Sequence, residues 1–326
     1  MNKELMIRHL VEAAGKRRED IAEENPFKKI GFDDGAARLG WVVPPSFEQV
    51  ESALKVFLAA AEGKEHFIFV GMGGSVNGVK TLIALSGSKN LHALDSLDPR
   101  AVQELIDAVG DMKKALVIPI SKSGTTAESQ LLGATLRDVL GADYTDNFLW
   151  VADPGAHAKL DAQGWREAGK TTIQVDGGSD IGGRFTSPHT MVFLAPLVIL
   201  MGRDIARIRP LWQAYTSGIE GLRARAASEA VKYRDAGQVR LVVEVRKVIV
   251  EGFANWVIQL LQESLGSKAD HLFIKTLVVE YGAVLSGFTT LALPDEGEDP
   301  FLYVMKYMYF LQVFTALLAY VRNVDF

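Results

Sequence analysis

The sequence contains no cysteine, which excludes disulfide bonds, thiolate catalysis and cysteine-ligated zinc sites. It has no basic run, and its net charge of -5 disfavours nucleic acid and anionic membranes as partners. The longest apolar runs, residues 191–201 and 307–321, fall short of the roughly 18 to 20 residues that span a membrane, so we expect buried helices. Since the amino terminus also lacks the apolar core of a signal peptide, we expect a cytoplasmic protein.

The hydrophobic content of 48% and charged content of 23% predict a folded chain whose 326 residues form one large or two ordinary domains. Short apolar runs alternate with helical stretches, which is typical of an α/β fold with a doubly wound parallel sheet. The predicted strands are 66–70, 91–96, 115–120, 147–151, 171–175, 239–245, 271–276 and 288–294.

A glycine-rich turn carries an arginine between a predicted strand and a predicted helix. Gly182 and Gly183 permit positive φ and a close ligand approach, and Arg184 follows them. A guanidinium fixed in such a turn suits a phosphate or a developing oxyanion. The alternative is an ordinary surface arginine. Pro188 after a Ser187 cap predicts the start of the next helix.

The segment Ser121–Thr126 carries four hydroxyls and one glycine after a predicted buried strand. A helix beginning there would present free N–H groups and a partial positive charge. We therefore predict a phosphate site at the carboxyl edge of the sheet. Ordinary N-capping, which needs only one or two of the hydroxyls, is the alternative.

The segment Gly71–Ser75 raises a competing hypothesis, because Gly71-x-Gly73 after a strand resembles part of a dinucleotide-binding turn. Asp95 lies roughly 20 residues further on, as that hypothesis requires. The third small residue is absent, however, since Val76 occupies its place. The pattern favours a phosphorylated small molecule.

A helix predicted over residues 246–264 places Gln259 and Glu263 on one face near its carboxyl terminus. A carboxylate there meets the negative end of the helix dipole, which favours proton uptake and suits a general base. The alternative is a solvated glutamate beside a glutamine.

Four stretches together resemble the glucose-6-phosphate isomerases in their order and spacing, over about residues 40–326. They are Gly71–Ser75, Ser121–Thr126, Gly182–Phe185 and Gln259–Gly266. The resemblance implies interconversion of glucose 6-phosphate and fructose 6-phosphate through a cis-enediolate, without a metal or organic cofactor. The dual phosphoglucose/phosphomannose isomerases match less well, because the Gly-Gly-Arg-Phe turn is typical of the glucose enzymes.

The resemblance also implies two doubly wound sugar-isomerase (SIS) domains of three-layer α/β/α architecture. We place the first at residues 46–202 and the second, smaller one at 203–326, after a helical lead-in at 1–45. A homodimer is a further expectation, for which apolar helices such as 301–321 would suit the interface.

Site residues follow from the same resemblance. Glu263 would be the base and Arg184 would face the enediolate, in a cleft shared by the two halves. The implied sugar-phosphate ligands are Ser121, Ser123 and Thr126, with further donors from Lys122 and Thr125, Gln259 beside the phosphate, and Gly74 and Ser75 along the sugar.

The chain departs from that family in the ring-opening machinery. The family uses a histidine some thirty residues after the base and a lysine near its carboxyl terminus, whereas the last histidine here is His271. Lys268 and Lys275 are both candidates to replace the lysine. We therefore expect fructose 6-phosphate binding with slow or absent isomerisation, and a non-catalytic, regulatory sugar-phosphate-binding protein is the alternative.

Overall fold

The computed structural model describes residues 2–33, 36–234, 238–266, 273–282 and 286–326. Contacts group the chain into two compact units. The first unit comprises Pro45–Ser179 and Pro188–Ile208, and the second comprises Met1–Pro44, Asp180–Ser187 and Arg209–Phe326. The two units are each built from separate stretches of the chain, whereas the predicted domains are continuous stretches. The predicted domain bounds therefore stay a prediction.

Helices and strands alternate through most of the described chain. The helices are α1 (Lys3–Ala13), α2 (Phe47–Ala60), α3 (Gly74–Ser86), α4 (Pro99–Val109), α5 (Ala127–Leu140), α6 (His157–Leu160), α7 (Met191–Leu200), α8 (Ile208–Ser217), α9 (Ile219–Val231), α10 (Val250–Ile258) and α11 (Pro300–Arg322). The strands are β1 (Phe32–Asp33), β2 (Ala36–Ala37), β3 (His66–Val70), β4 (Leu91–Leu94), β5 (Ala115–Pro119), β6 (Leu149–Ala152), β7 (Gly169–Thr172), β8 (Gln238–Val245), β9 (Phe273–Glu280) and β10 (Thr289–Ala292).

The sheet of the first unit is parallel, with the order β4-β3-β5 and the pair β6-β7 beside it. Parallel bridges at Val117–Phe148 and Ile120–Val151 join β5 to the neighbouring pair. Every residue of β5 is buried, as expected of a strand covered on both faces. Because the chain leaves the central strand β3 first to one side and then to the other, a crevice is expected at the carboxyl ends of β3 and β5.

The second unit repeats the arrangement with the parallel order β10-β8-β9, so that β8 is central. Its core is formed largely by α11, whose apolar side chains are buried from Tyr303 to Ala319. Among the described helices α11 alone is long and apolar enough to cross a membrane, but 83% of its apolar window is buried inside the protein. It is therefore a core helix, and its buried faces offer no surface for the predicted dimer interface.

The structure confirms the α/β class with parallel sheets and corrects two helix predictions. Helix α7 begins at Met191 and not at Pro188, because Thr190 is extended and bridges Gln174 in an antiparallel pair. The helix predicted over residues 246–264 is present from Lys247 to Glu263, but it consists of a 3-10 turn, the α-helix α10 and a π-turn at Gln259–Glu263, and is not one regular α-helix.

Candidate active site

The turn that carries Arg184 is fixed by packing on both sides. Residues Gly183–Phe185 form a single 3-10 turn, closed by the Phe185 amide, which donates to the Gly182 carbonyl at 2.8 Å. The Phe185 ring is 2% exposed and stacks on Trp41 at 5.0 Å between ring centroids. Gln312 donates its side-chain amide to the Phe185 carbonyl at 2.8 Å.

The glycines before Arg184 serve the site differently from the prediction. Gly182 has a φ of -68°, so this turn does not depend on positive φ there. A Cβ on Gly182 would instead lie 3.6 Å from an Nη atom of Arg38, whereas one on Gly183 would meet no atom within 4 Å. Arg38 therefore lies at an ordinary contact distance from Gly182, and there is open space beside Gly183.

Arg184 lies directly against the predicted base. Its Nε donates to the Ser264 hydroxyl at 2.7 Å, and its Nη1 lies 3.3 Å from a Glu263 carboxylate oxygen. These partners are 79 and 80 positions away in the sequence. The π-turn Gln259–Glu263 ends at this point, and single π-turns within helices are frequent at functional sites.

A cavity of about 230 Å³ opens at this cluster, inside the second unit. Its described lining residues are Arg38, Gly182, Arg184, Phe185, Glu263, Ser264, Asp325 and Phe326. The lining thus includes two guanidinium groups, two carboxylates and two phenylalanine rings. The Glu263 side chain is 53% exposed while its partner Arg184 is 23% exposed, so the carboxylate is accessible and the guanidinium is held in place. This arrangement can accept a proton and stabilise a nearby oxyanion.

The hydroxyl-rich segment Ser121–Thr126 lies in the first unit, at the carboxyl end of β5. Ser121 is 1% exposed, and its hydroxyl donates to the Thr126 hydroxyl at 3.0 Å. Ser123 and Thr125 are exposed, with their hydroxyl oxygens 2.8 Å apart. Thr126 is the N-cap of α5, and its own side chain makes no capping hydrogen bond. Ser121 therefore shapes the loop, while the Ser123 and Thr125 hydroxyls are exposed and bond each other just before α5.

The loop after β3 lies beside this hydroxyl-rich segment. A Cβ on Gly71 would lie 2.9 Å from the Ser75 Cβ and 3.2 Å from the Ile120 carbonyl, which precedes Ser121. Gly74 is the first residue of α3 and Ser75 the second. The two predicted loops thus meet at the crevice between β3 and β5. The Asp95 carboxylate, which the dinucleotide hypothesis requires, pairs with Lys80.

Other predicted residues take less central places. Lys122 lies 3.6 Å from the Asp153 carboxylate. Gln259, at the start of the π-turn, is partly buried. Lys275 is exposed on β9 and does not line the cavity, whereas Lys268 and His271 lie outside the described residues. The described residues include no cluster of three or more His, Asp or Glu that would hold a metal ion.

Two features of the cavity are absent from the sequence prediction. Ser264 lies within the stretch Gln259–Gly266 that resembles the family, but the prediction gives it no role, and its hydroxyl anchors Arg184. Arg38 lies outside the four stretches that resemble the family, and it reaches the cavity through tertiary pairing.

Comparison with curated proteins relates the chain to glucose-6-phosphate isomerases, although no protein-family model matches it. A probable glucose-6-phosphate isomerase of Natronomonas pharaonis is 30% identical over 217 residues, which cover 62% of this chain and 47% of that protein. A glucose-6-phosphate isomerase of Thermus thermophilus is 32% identical over 174 residues, 51% of this chain and 40% of that enzyme. The chain thus spans about half the length of the curated relatives it matches.

Solved structures show the same fold. A hypothetical protein from Thermus thermophilus matches 99% of this chain and 90% of its own, with a TM-score of 0.71 and 19% identity. A glucose-6-phosphate isomerase from Chlamydia trachomatis matches 99% of this chain and 80% of its own, with a TM-score of 0.64 and 14% identity. A likeness over almost the whole chain at this low identity shows that the chain shares the fold of these two proteins.

Proposed function

We propose that this chain, a relative of the glucose-6-phosphate isomerases, interconverts glucose 6-phosphate and fructose 6-phosphate through a cis-enediolate. The observation that carries the proposal is the cavity in which Glu263 lies 3.3 Å from Arg184, itself anchored by Ser264. Enolisation beside a carbonyl requires a positioned base and a cation for the oxygen that gains charge. The cavity contains both.

The proposed proton transfer begins on the open-chain aldose. Glu263 removes the proton from C2, the C–H electrons form the C1=C2 bond, and the carbonyl oxygen takes the negative charge. Glu263 then returns its proton to C1, and the hydroxyl proton on O2 moves to O1, which leaves a ketone at C2. Arg184 lies beside the carboxylate before the transfer and would stabilise the enediolate after it, so the net charge of the cavity stays constant.

Phosphate binding is assigned to the hydroxyl-rich segment of the first unit. Its supports are the exposed Ser123 and Thr125 hydroxyls and the first turn of α5. Ser121 and Thr126 would keep the loop in shape through their mutual hydrogen bond. Lys122, Gly74, Ser75 and Gln259 remain proposed secondary contacts.

Ring opening is the step for which the described residues supply the fewest candidate proton donors. No histidine or lysine lines the described part of the cavity. A placed proton donor is typically worth about 10²- to 10⁴-fold in rate, so turnover of the cyclic sugar should be slower than enolisation of an open-chain sugar.

Two rates measured on one preparation test the proposal. The first is turnover of fructose 6-phosphate in a coupled assay, and the second is proton exchange at C1 of a four-carbon ketose phosphate that cannot cyclise. Exchange without turnover would support the enolisation site and its weak ring opening. Full turnover would show that a residue of this chain opens the ring, whereas binding without either activity would favour the non-catalytic alternative.

The wider context also remains a proposal. A place in glycolysis or gluconeogenesis and a cytoplasmic location follow from the proposed activity. A homodimer stays a prediction that gel filtration with light scattering would test.

A further inference from the structure

Arg38 is a second guanidinium in the wall of the Arg184 cavity, and the proposed reaction has so far given it no role. Its side chain passes over Gly182, since a Cβ there would lie 3.6 Å from an Arg38 Nη atom and 3.8 Å from its Cδ. Gly182 is two residues before Arg184. Arg38 and Arg184 therefore both line the cavity beside one turn.

The backbone around Arg38 is held by pairing with the segment that precedes Arg184. The Arg38 amide donates to the Gly31 carbonyl at 3.1 Å, and the Gly40 amide donates to the Asp180 carbonyl at 3.2 Å. An antiparallel bridge joins Leu39 to Ile181, and both side chains are buried. The backbone of Arg38 is therefore held beside the turn that carries Arg184.

The charges in the cavity wall indicate why a second guanidinium is needed there. Arg184 donates to Ser264 and to the Glu263 carboxylate, so before the reaction its charge balances the base. The carbonyl oxygen of a sugar needs a donor at that stage, when Glu263 is still ionised. Without Arg38 the wall would hold one guanidinium against the carboxylates of Glu263 and Asp325, which disfavours an additional partial negative charge.

We propose that Arg38 is a substrate-binding residue that contacts the carbonyl end of the sugar and holds the oxygen on which enediolate charge develops. This inference rests on the proposed isomerase function. The ligand class is an α-hydroxy carbonyl compound whose two adjacent oxygens face the two guanidiniums. Because the phosphate is assigned to another loop, Arg38 should act on the chemical step far more than on phosphate affinity.

The test uses the full chain with Arg38→Ala and Arg38→Lys, and Arg8→Ala as a matched control. Arg8 lies in the same unit on α1, is 65% exposed and does not line the cavity. Binding is measured for a five-carbon hydroxamate 5-phosphate, whose adjacent oxygens mimic the enediolate, and for inorganic phosphate. We expect Arg38→Ala to weaken hydroxamate binding about 10- to 100-fold, as expected when a charged hydrogen-bond donor is removed, with phosphate binding unchanged.

Two readouts separate substrate contact from structural support. Added guanidinium ion should restore part of the hydroxamate affinity and C1 exchange of Arg38→Ala, and Arg38→Lys should retain an intermediate value. Hydroxamate affinity equal to that of the wild type in Arg38→Ala overturns the inference alone. The inference is also overturned if Arg38→Ala loses hydroxamate affinity together with a lowered melting temperature and added guanidinium does not restore that affinity. A wild-type chain that binds no hydroxamate overturns the proposed function together with the inference.

Discussion

The two parallel sheets of this protein share a strand order and differ in what lies at their carboxyl ends. In the first unit β3 is central between β4 and β5, and in the second β8 is central between β9 and β10. Each unit therefore has a point at which the chain reverses its direction along the sheet, and open α/β sheets bind ligands at such points.

The crevice of the first unit is lined by groups that donate hydrogen bonds to a ligand. Gly124 and the hydroxyls of Ser123 and Thr125 lie at the end of β5, next to the start of α5. No carboxylate belongs to that segment. The exposed hydroxyls of Ser123 and Thr125 bond each other, and Lys122 lies 3.6 Å from the Asp153 carboxylate, so an anion bound there would exchange with these contacts.

The corresponding crevice of the second unit is filled by its own ion pairs. Arg246, directly after β8, donates to the Asp295 carboxylate and lies 4.5 Å from the Tyr303 ring centroid. Lys306 lies 3.0 Å from a Glu298 carboxylate oxygen. Under our proposal the same topology carries a ligand site in one unit and a charge cluster in the other, because side chains and not strand order decide binding.

The largest expected effect separates chemistry from phosphate binding. Glu263→Gln should lower kcat by about 10²- to 10⁴-fold, because the base is lost, while phosphate affinity in the first unit should stay unchanged. C1 exchange and phosphate titration measure the two quantities. Glu280→Gln, an exposed change in the same unit, is the control. Equal loss of both quantities would contradict the separation of roles.

A backbone change in the first crevice should weaken phosphate binding. Gly124 has a φ of +68°, and an added Cβ would lie 3.1 Å from the Ala156 Cβ. Gly124→Ala should therefore shift the loop and lower phosphate affinity about tenfold or more, measured by calorimetry. Gly110 has a similar φ of +72°, and a Cβ added there would meet no atom within 4 Å. Gly110→Ala is therefore a control that introduces the backbone strain without the steric contact. Equal affinity in the two variants would argue against the loop as the phosphate site.

Breaking the charge cluster of the second crevice should affect stability and not binding. The Arg246 side chain is 14% exposed, and Arg246→Met leaves the Asp295 carboxylate and the Glu298 carbonyl without this donor. We expect the free energy of unfolding to fall by about 1 to 3 kcal/mol, measured in urea with Arg8→Met as control. A large loss of phosphate affinity instead would show that the second crevice also serves the ligand.

The smallest expected effect is a pH dependence confined to the first unit. His66 and His92 share a hydrogen bond of 3.1 Å, and burial, with the neighbouring His66, lowers the pKa of His92 below its usual 6.5. Below pH 6.5 the unfolded chain takes up a proton that folded His92 resists, so stability should fall as pH drops from 6.5 to the lowered pKa. His92→Gln should flatten this slope in thermal unfolding scans at about pH 7.5 and about pH 5.5. An unchanged slope would exclude His92 as its source.

Several elements were predictable because they depend on local chemistry. Ser46 and Gln49 form the capping box of α2, with hydrogen bonds of 3.3 and 2.8 Å in opposite directions. Helix α4 spans Pro99–Val109, with Asp98 as its cap and Pro99 at its first position, both of which are local signals. The continuous apolar runs of β3 and β5 likewise indicated strands covered on both faces.

Other elements were not predictable because they depend on distant partners. Thr190 is extended through its bridge to Gln174, which delays α7 beyond Pro188. The π-turn at Gln259–Glu263 has no local sequence signal comparable to a cap or a glycine. Pairing of the segment around Leu39 with Ile181 brings Arg38 to the cavity from 146 positions before Arg184 (184 − 38).

The sequence by itself determined the α/β class, most strand positions and the position of the hydroxyl-rich loop proposed to bind phosphate, because hydrophobic periodicity and turn chemistry are local properties. Only the tertiary structure decided that residues 180–187 pack with the second unit, that Arg184 lies against Glu263 and Ser264, and that Arg38 joins them. The physical reason is that these contacts depend on how separate segments pack and pair, and such long-range packing leaves no regular spacing in the sequence.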